Sequence, residues 1–362
     1  MYISSLTLSN FRNYEQETIK FSRGTNLIYG NNAQGKTNIL EAVYLFCQGR
    51  SHRAKTDKEL IRFGNDFASL TAEFHDANRD YSANIRLIKN GKKNIKINHV
   101  QITKLSMLMS YLNAVMFSPE DLELVKGSPS SRRRFTDSAI SQLYPGYLSN
   151  LIDYNKALMQ KNSLLKTIRT SGRNAYSMLE VWNEQLAHTG AKIMEYRTDS
   201  ISQLNKFASA IQKEISGEDL LAEYAPSIKT DNFDEESFFE FLQSRSEREI
   251  DMGSAQYGIQ RDDINISING REARTFGSQG QQRTAALSLK IAQADYIRSI
   301  KDEYPILLLD DILSELDINR RMYLCEKIKD KQVLITGTDS DLTNDSTDTA
   351  LFYVDNGTIT MQ

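Results

Sequence analysis

The segment GNNAQGKT, Gly30 to Thr37, constrains this chain more than any other, because it fits the phosphate-loop spacing G-x-x-x-x-G-K-[S/T]. That spacing can arise by chance in a surface loop, so the flanks decide. TNLIY precedes it with the pattern of a strand, and NILEAVYLF follows as a helix with Ile39, Val43 and Phe46 on one face. In such a unit the glycines let the backbone wrap a phosphate, and the free amides at the helix start face its charge. The expected cradle is Gly30, Asn31, Asn32, Ala33, Gln34 and Gly35, with Lys36 reaching the β- and γ-phosphates and the Thr37 hydroxyl holding Mg2+.

A phosphate loop needs a second carboxylate for its metal, usually at the tip of a buried strand. PILLLDD supplies one: Ile306 to Leu309 are apolar and only Asp310 and Asp311 bring charge. Asp310 is expected beside Mg2+, and Asp311 is expected to polarise the attacking water. Alone, such a pair reads as the solvated end of a strand. Beside a phosphate loop it reads as a site.

The rest of the 362 residues fits this frame, with 40% apolar and 25% charged residues and a net charge of −3. That balance exerts no global pull on nucleic acid, so any such contact must be local. Cys47 and Cys325 match no metal or redox spacing and suit a reducing cytosol. No apolar run approaches a membrane span, and MYISSLTLSNFRNY lacks the pattern of a secretory leader, so no membrane and a cytoplasmic location are expected.

Alternation of Leu6 and Leu8 with Thr7, and of Ile19 and Phe21 with Lys20, predicts strands early in the chain. YSANIRLI and NIKIN, joined across Asn90-Gly91, predict a hairpin. From about residue 132 to 216 the pattern turns helical. Leu151, Tyr154, Leu158, Leu165 and Ile168 form one stripe, and Leu179, Trp182, Leu186, Ile193, Tyr196 and Phe207 a second, with TSGRN as the turn between them. This predicts an antiparallel helical hairpin whose stripes are packing core. The acidic stretch 216–237 reads as a connection, and the buried strands and helices beyond it predict a mostly parallel α/β sheet.

FGSQGQQRTAAL, Phe276 to Leu287, then needs a reason to exist, far along the chain from the phosphate loop. The order of phosphate loop, helical insertion, SQGQQR and LLLDD…SELD resembles the SMC-like branch of the ABC-type ATPases. Within it FRNY, GNNAQGKTNILEA, GRSHR, ELIRFG, FSPEDLELVKGSP, RRRF, RDD and FGSQGQQRTAALSLK resemble the RecF family of recombination and repair proteins, from Leu6 to about Thr338. The resemblance implies an α/β ABC-type head, with a mixed phosphate-loop sheet and an antiparallel β-lobe, plus a helical-hairpin second lobe. The implied division is 1–130, 131–250 and 251–362, the first and last forming the head.

It further implies ATP and Mg2+ as ligands and a head-to-tail homodimer in which Ser278, Gln279, Gly280 and Gln281 face the γ-phosphate held by the partner copy. Such a patch suits the physics: Ser278 offers a hydroxyl, Gly280 allows close approach, and the helix start directs amides at phosphate. The competing reading is a polar helix cap. By the same resemblance Arg12 and Asn13 lie near adenine and phosphates, against the plainer reading of a solvated turn. Ser118–Glu120 occupies the region of the Q-loop, Asp317 belongs to the D-loop, and Asp311 with Lys36 performs catalysis. The implied partners are double-stranded DNA near single-strand gaps, RecR with RecO, and RecA, whose loading is assisted; the implied activity is a slow DNA-dependent ATPase in replication, recombination and the SOS response to DNA damage.

Three departures stand out. Asp311 replaces the usual glutamate of ABC-type ATPases, a feature the RecF family shares, and predicts slow turnover. Thr336 to Thr338 stand where transporters carry a switch histidine, and Gln260 in YGIQRDD stands where the family usually has histidine. Arg261, Asp262 and Asp263 read equally as structural ion pairs. The best basic clusters for DNA are Arg132, Arg133 and Arg134; Arg50, His52, Arg53 and Lys55; and Lys89, Lys92 and Lys93, each otherwise a solvated face. A transporter ATPase lacks the helical insertion, and a monomeric kinase leaves SQGQQR without a purpose.

Overall fold

The computed structural model describes residues 1–171, 176–229, 234–339 and 349–362. The contacts divide the chain into two units, Met1–Asp121 with Leu287–Gln362, and Leu122–Ala286. This differs from the expected division at 1–130, 131–250 and 251–362. Residues 251–286 group with the helical lobe, because the strand Asp263–Ile268 finds its partner in Leu220–Ala225.

The first unit carries two sheets. One is antiparallel, in the order β2-β1-β4-β5-β6-β7, from β1 (Tyr2–Phe11), β2 (Tyr14–Lys20), β4 (Phe67–His75), β5 (Asp80–Ile88), β6 (Asn94–Ile97) and β7 (Val100–Ile102). The expected hairpin is there: β5 and β6 pair antiparallel, Ala83 opposite Ile97. The other sheet has the order β15-β14-β3-β13-β12-β8, from β3 (Thr25–Tyr29), β8 (Ala114–Phe117), β12 (Ile306–Leu309), β13 (Val333–Gly337), β14 (Thr349–Asp355) and β15 (Thr358–Met361). All its pairs are parallel except β14 with β15. Every residue of β8, β12 and β13 is buried, which is why these strands read as unbroken apolar runs. The helix Lys36–Gln48 lays Ile39, Leu40, Val43 and Phe46 into the core shared by both sheets.

The second unit is built on the helices Pro145–Ser171 and Tyr176–Ser216, which pack on each other as the two stripes require. Tyr154, Leu165, Ile168, Leu179, Leu186 and Ile193 are buried, and Trp182 packs on the cluster of Tyr154, Leu186 and Ile193. Residues 172–174 of the expected TSGRN turn lie outside the described residues. The stretch 216–237 is not a plain connection: β9 (Leu220–Ala225) lies inside it and pairs with β10 (Asp263–Ile268), which also pairs with β11 (Arg271–Glu272).

Arg132 is a buried structural residue, contrary to the DNA-contact expectation. Its guanidinium makes paired bonds of 2.6 and 2.9 Å to Asp263, and only 6% of the residue is exposed. Arg133 donates to the Asp262 carbonyl at 2.7 Å, while Arg134 is exposed. Arg197, also buried, bonds Asp262 at 2.9 Å and Asp137 at 2.8 Å. The two aspartates of RDD are therefore internal anchors. Gln260 is committed as well, accepting from Tyr154 at 2.7 Å and donating to the Tyr257 carbonyl at 2.6 Å.

Candidate functional site

The loop after β3 needs backbone that most residues avoid. Gly30 and Gly35 sit at φ 145° and 115°, and a Cβ on Gly35 would lie 2.6 Å from the Asn13 amide. Lys36 is 4% exposed and curls back into its own loop, donating to the carbonyls of Gly30 at 2.7 Å and Asn31 at 2.9 Å. Burial draws its ammonium pKa down, against the pull of Asp311 and Asp310.

Neighbouring elements hold the loop from three sides. Asn13 donates to the Gln34 carbonyl at 2.7 Å and accepts from Asn38 at 2.9 Å; the buried Tyr14 hydroxyl donates to the Gly35 carbonyl at 2.9 Å. The turn between β14 and β15 adds Asn356 N–H to the Gln34 side chain at 2.6 Å and Gly357 N–H to its carbonyl at 3.2 Å. Asn13 thus braces the phosphate loop. Arg12 does not line the cleft: its guanidinium forms bonds of 2.8 and 2.7 Å to Glu41 and 2.9 Å to the Glu59 carbonyl. Burial would raise the Glu41 carboxyl, but Arg12 and Ser51 outweigh it and hold it below the usual range.

β12 brings its acids to the same place. Asp310 accepts from Thr37 at 2.8 Å and from Thr336 at 2.8 Å, and its N–H donates to the Phe117 carbonyl at 2.8 Å. Asp311 takes a left-handed conformation, φ 50°, and its N–H donates to Thr336 at 2.9 Å. Burial raises the Asp311 carboxyl, Asp310 adds to this, and Lys36 opposes it. Thr336 thus holds the Asp310 carboxylate and the Asp311 backbone, a role the sequence analysis did not assign. Its only sequence signal was its place on the strand after the acids. His52 is drawn down by burial despite the carboxylates of Glu41, Asp310 and Glu120.

The cleft of about 290 Å³ is lined by Asn32, Ala33, Gln34, Gly35, Lys36, Thr37, Asn38, Arg53 and Asp311. Its chemistry fits a nucleoside triphosphate with a hard divalent cation. A glycine cradle and a buried ammonium suit phosphate, and a hydroxyl bonded to a carboxylate is the oxygen donor set that Mg2+ takes.

The other expected positions are local. Ser278 caps the helix Gln279–Lys301: its hydroxyl accepts from Gln281 N–H at 3.2 Å, and the Gln281 side chain accepts from Ser278 N–H at 2.8 Å. The plain capping reading is therefore satisfied, yet the exposed hydroxyl keeps its own proton to donate. Gln281 also donates to Glu218 at 2.6 Å, and Gln279 and Gly280 open the helix. Asp317 caps the helix Ile318–Ile328 and pairs with Arg320. Ser118 N–H donates to Asp121 at 2.9 Å, just beyond β8. Arg50 and Arg53 are both exposed. No described helix is long and apolar enough to cross a membrane.

Residues 2–360 match the family model described as the RecF/RecN/SMC N terminal domain. The DNA replication and repair protein RecF of Agathobacter rectalis is 45% identical over 343 residues, 94% of this chain and 93% of that protein. The RecF of Bacillus cereus strain B4264 is 42% identical over 369 residues, covering 99% and 98%. A solved structure of the recombination mediator protein RecF with ATP, in the RecFOR pathway, superposes with TM-score 0.93 at 35% identity, covering 100% of this chain and 97% of that one. The Smc head domain of Pyrococcus furiosus, bound to the C-terminal domain of ScpA, shares the fold at TM-score 0.56 and 18% identity.

Proposed function

Because the chain belongs to the RecF family, with the α/β head of ABC-type ATPases, we propose that it is an ATP-gated clamp on duplex DNA. ATP binding drives two copies together head to tail on double-stranded DNA near single-strand gaps, and slow hydrolysis releases them. Acting with RecR and RecO, the bound clamp promotes RecA loading. Its place of action is the cytoplasm.

The observation that carries this reading is the meeting of Lys36, Thr37 and Asp311 at one cleft, with Asp310 bonded to Thr37. The Lys36 ammonium exchanges its two loop carbonyls for phosphate oxygens, so that a buried cation held only by neutral acceptors gains an anionic partner. Thr37 and Asp310 would hold Mg2+, which when bound neutralises charge on the β- and γ-phosphates. Asp311, made more basic by burial, orients the attacking water and accepts its proton. Its side chain is one methylene shorter than glutamate, so the water is held less well and turnover is slow. Ser278 of a second copy donates its free hydroxyl proton to the γ-phosphate, and the helix start behind it adds amide dipoles. Hydrolysis removes the group that both copies share.

Sedimentation with and without ATP, in the presence of a gapped duplex, tests the reading. Asp311→Ala should bind ATP, fail to turn it over and accumulate as a DNA-bound dimer. A variant that remains monomeric with ATP and DNA rejects the role given to Asp311 and the clamp with it.

A further inference from the structure

Two short segments of the first unit, 50–58 and 89–96, hold eight lysines and arginines and a single carboxylate, Asp57, in a chain of net charge −3. They are separate in sequence, yet one side chain joins them. Lys93 donates to the Gly49 carbonyl at 2.6 Å and pairs with Asp57 at 3.1 Å, so the β5–β6 turn is fastened to the segment that follows the phosphate-loop helix. Its ammonium is spent on this contact and uses up the one carboxylate of the two segments.

The backbone beneath the remaining cations is fixed at further points. Ser51 donates to Glu41 at 2.5 Å and accepts from the N–H groups of Arg53 and Ala54 at 2.9 and 2.8 Å. The Glu59 carboxylate accepts from the Thr56 hydroxyl at 2.7 Å and from the Thr56 N–H at 3.1 Å. On this frame Arg50, Arg53, Lys55, Lys58, Lys92 and Lys96 are exposed, and none forms an ion pair with a described carboxylate. Free cations on an ordered frame differ from an ordinary solvated face, where long side chains pair with nearby acids. Arg53 also lines the nucleotide cleft, so the basic surface runs up to its edge.

We propose that Lys93 staples these segments into one phosphate-binding surface for the backbone of duplex DNA, bordered at the nucleotide cleft by Arg53. The inference rests on the DNA-clamp reading and adds where the duplex lies. The surface reads no base: point charges on phosphates give affinity without sequence preference and a steep salt dependence.

The test is fluorescence anisotropy of a labelled duplex with the full chain and ATP across a salt series, alongside binding of a fluorescent ATP analogue. Lys55→Glu combined with Lys92→Glu should weaken duplex binding by at least about tenfold, and flatten the slope of log affinity against log salt by about 2. ATP-analogue affinity should not change. Lys93→Met should weaken duplex binding similarly although its ammonium contacts no ligand, and Lys93→Arg should restore it. Unaltered duplex affinity and slope in the double variant removes the surface, and unaltered affinity in Lys93→Met removes the staple. If the unmodified chain binds phosphatidylglycerol vesicles but no duplex, the surface serves a membrane and the proposal falls. If it binds neither, the clamp reading fails instead.

Discussion

Arg12→Ala should destabilise the first unit far more than an exposed ion pair would suggest. The change strips two bonds, of 2.8 and 2.7 Å, from a Glu41 carboxylate with no exposed surface, and one of 2.9 Å from the Glu59 carbonyl. Removing one partner of a buried pair costs about 3–5 kcal/mol, and the partial exposure of Arg12 favours about 3. For a unit of this size that lowers the melting temperature by roughly 6–12 °C. The pH dependence has a definite sign. Glu41 is held below the usual range in the folded chain, so its contribution is present above the unfolded-state value and lost as pH falls through the folded one. The gap between the parent and Arg12→Ala should therefore narrow as pH is lowered through the carboxylate range. Calorimetry of both proteins measures it, with Arg12→Met/Glu41→Leu as control, since an apolar pair of similar volume should recover most of the loss. An unchanged melting temperature, or a gap that widens in acid, refutes the reasoning. A double variant that regains stability but not ATP affinity would show that Arg12 also touches nucleotide.

Three shorter tests address the site and its surroundings. Lys36→Ala should weaken ATP binding by about tenfold or more, since it removes the buried charge facing phosphate, and fluorescent-nucleotide titration reads this directly. Ser278→Arg should leave that titration unchanged while abolishing ATP-dependent dimers in sedimentation; undiminished dimers would take the patch out of the interface. Asp263→Asn should lower stability by about 3 kcal/mol in chemical denaturation, because Arg132 would keep its charge with half its partner gone.

What could be read beforehand follows from the range of each interaction. The phosphate loop and its acids were legible because each lies within one strand–turn unit, where spacing dictates geometry. Arg132 was not: as RRRF it looks like a solvated run, and the carboxylate that pairs its charge, Asp263, lies 131 residues away. The structural tie of Arg12 was hidden for the same reason, its partner Glu41 facing it from the phosphate-loop helix. The strand β9 hid among acids, its alternation too short to outweigh them, until pairing with β10 defined it. The turn at Asn356-Gly357 was a readable hairpin signal, but nothing local says that it braces Gln34.

The placement of β3 has a consequence for how the chain comes into being. Its two hydrogen-bonded neighbours are β13 and β14, so the strand that launches the phosphate loop, made among the first thirty residues, stays unpaired in its sheet until residues 333–355 arrive. During translation the growing polypeptide thus has an open cradle with no floor, and long-range parallel pairing is slow to form. Fragments that end before residue 333 should therefore be unable to grip nucleotide.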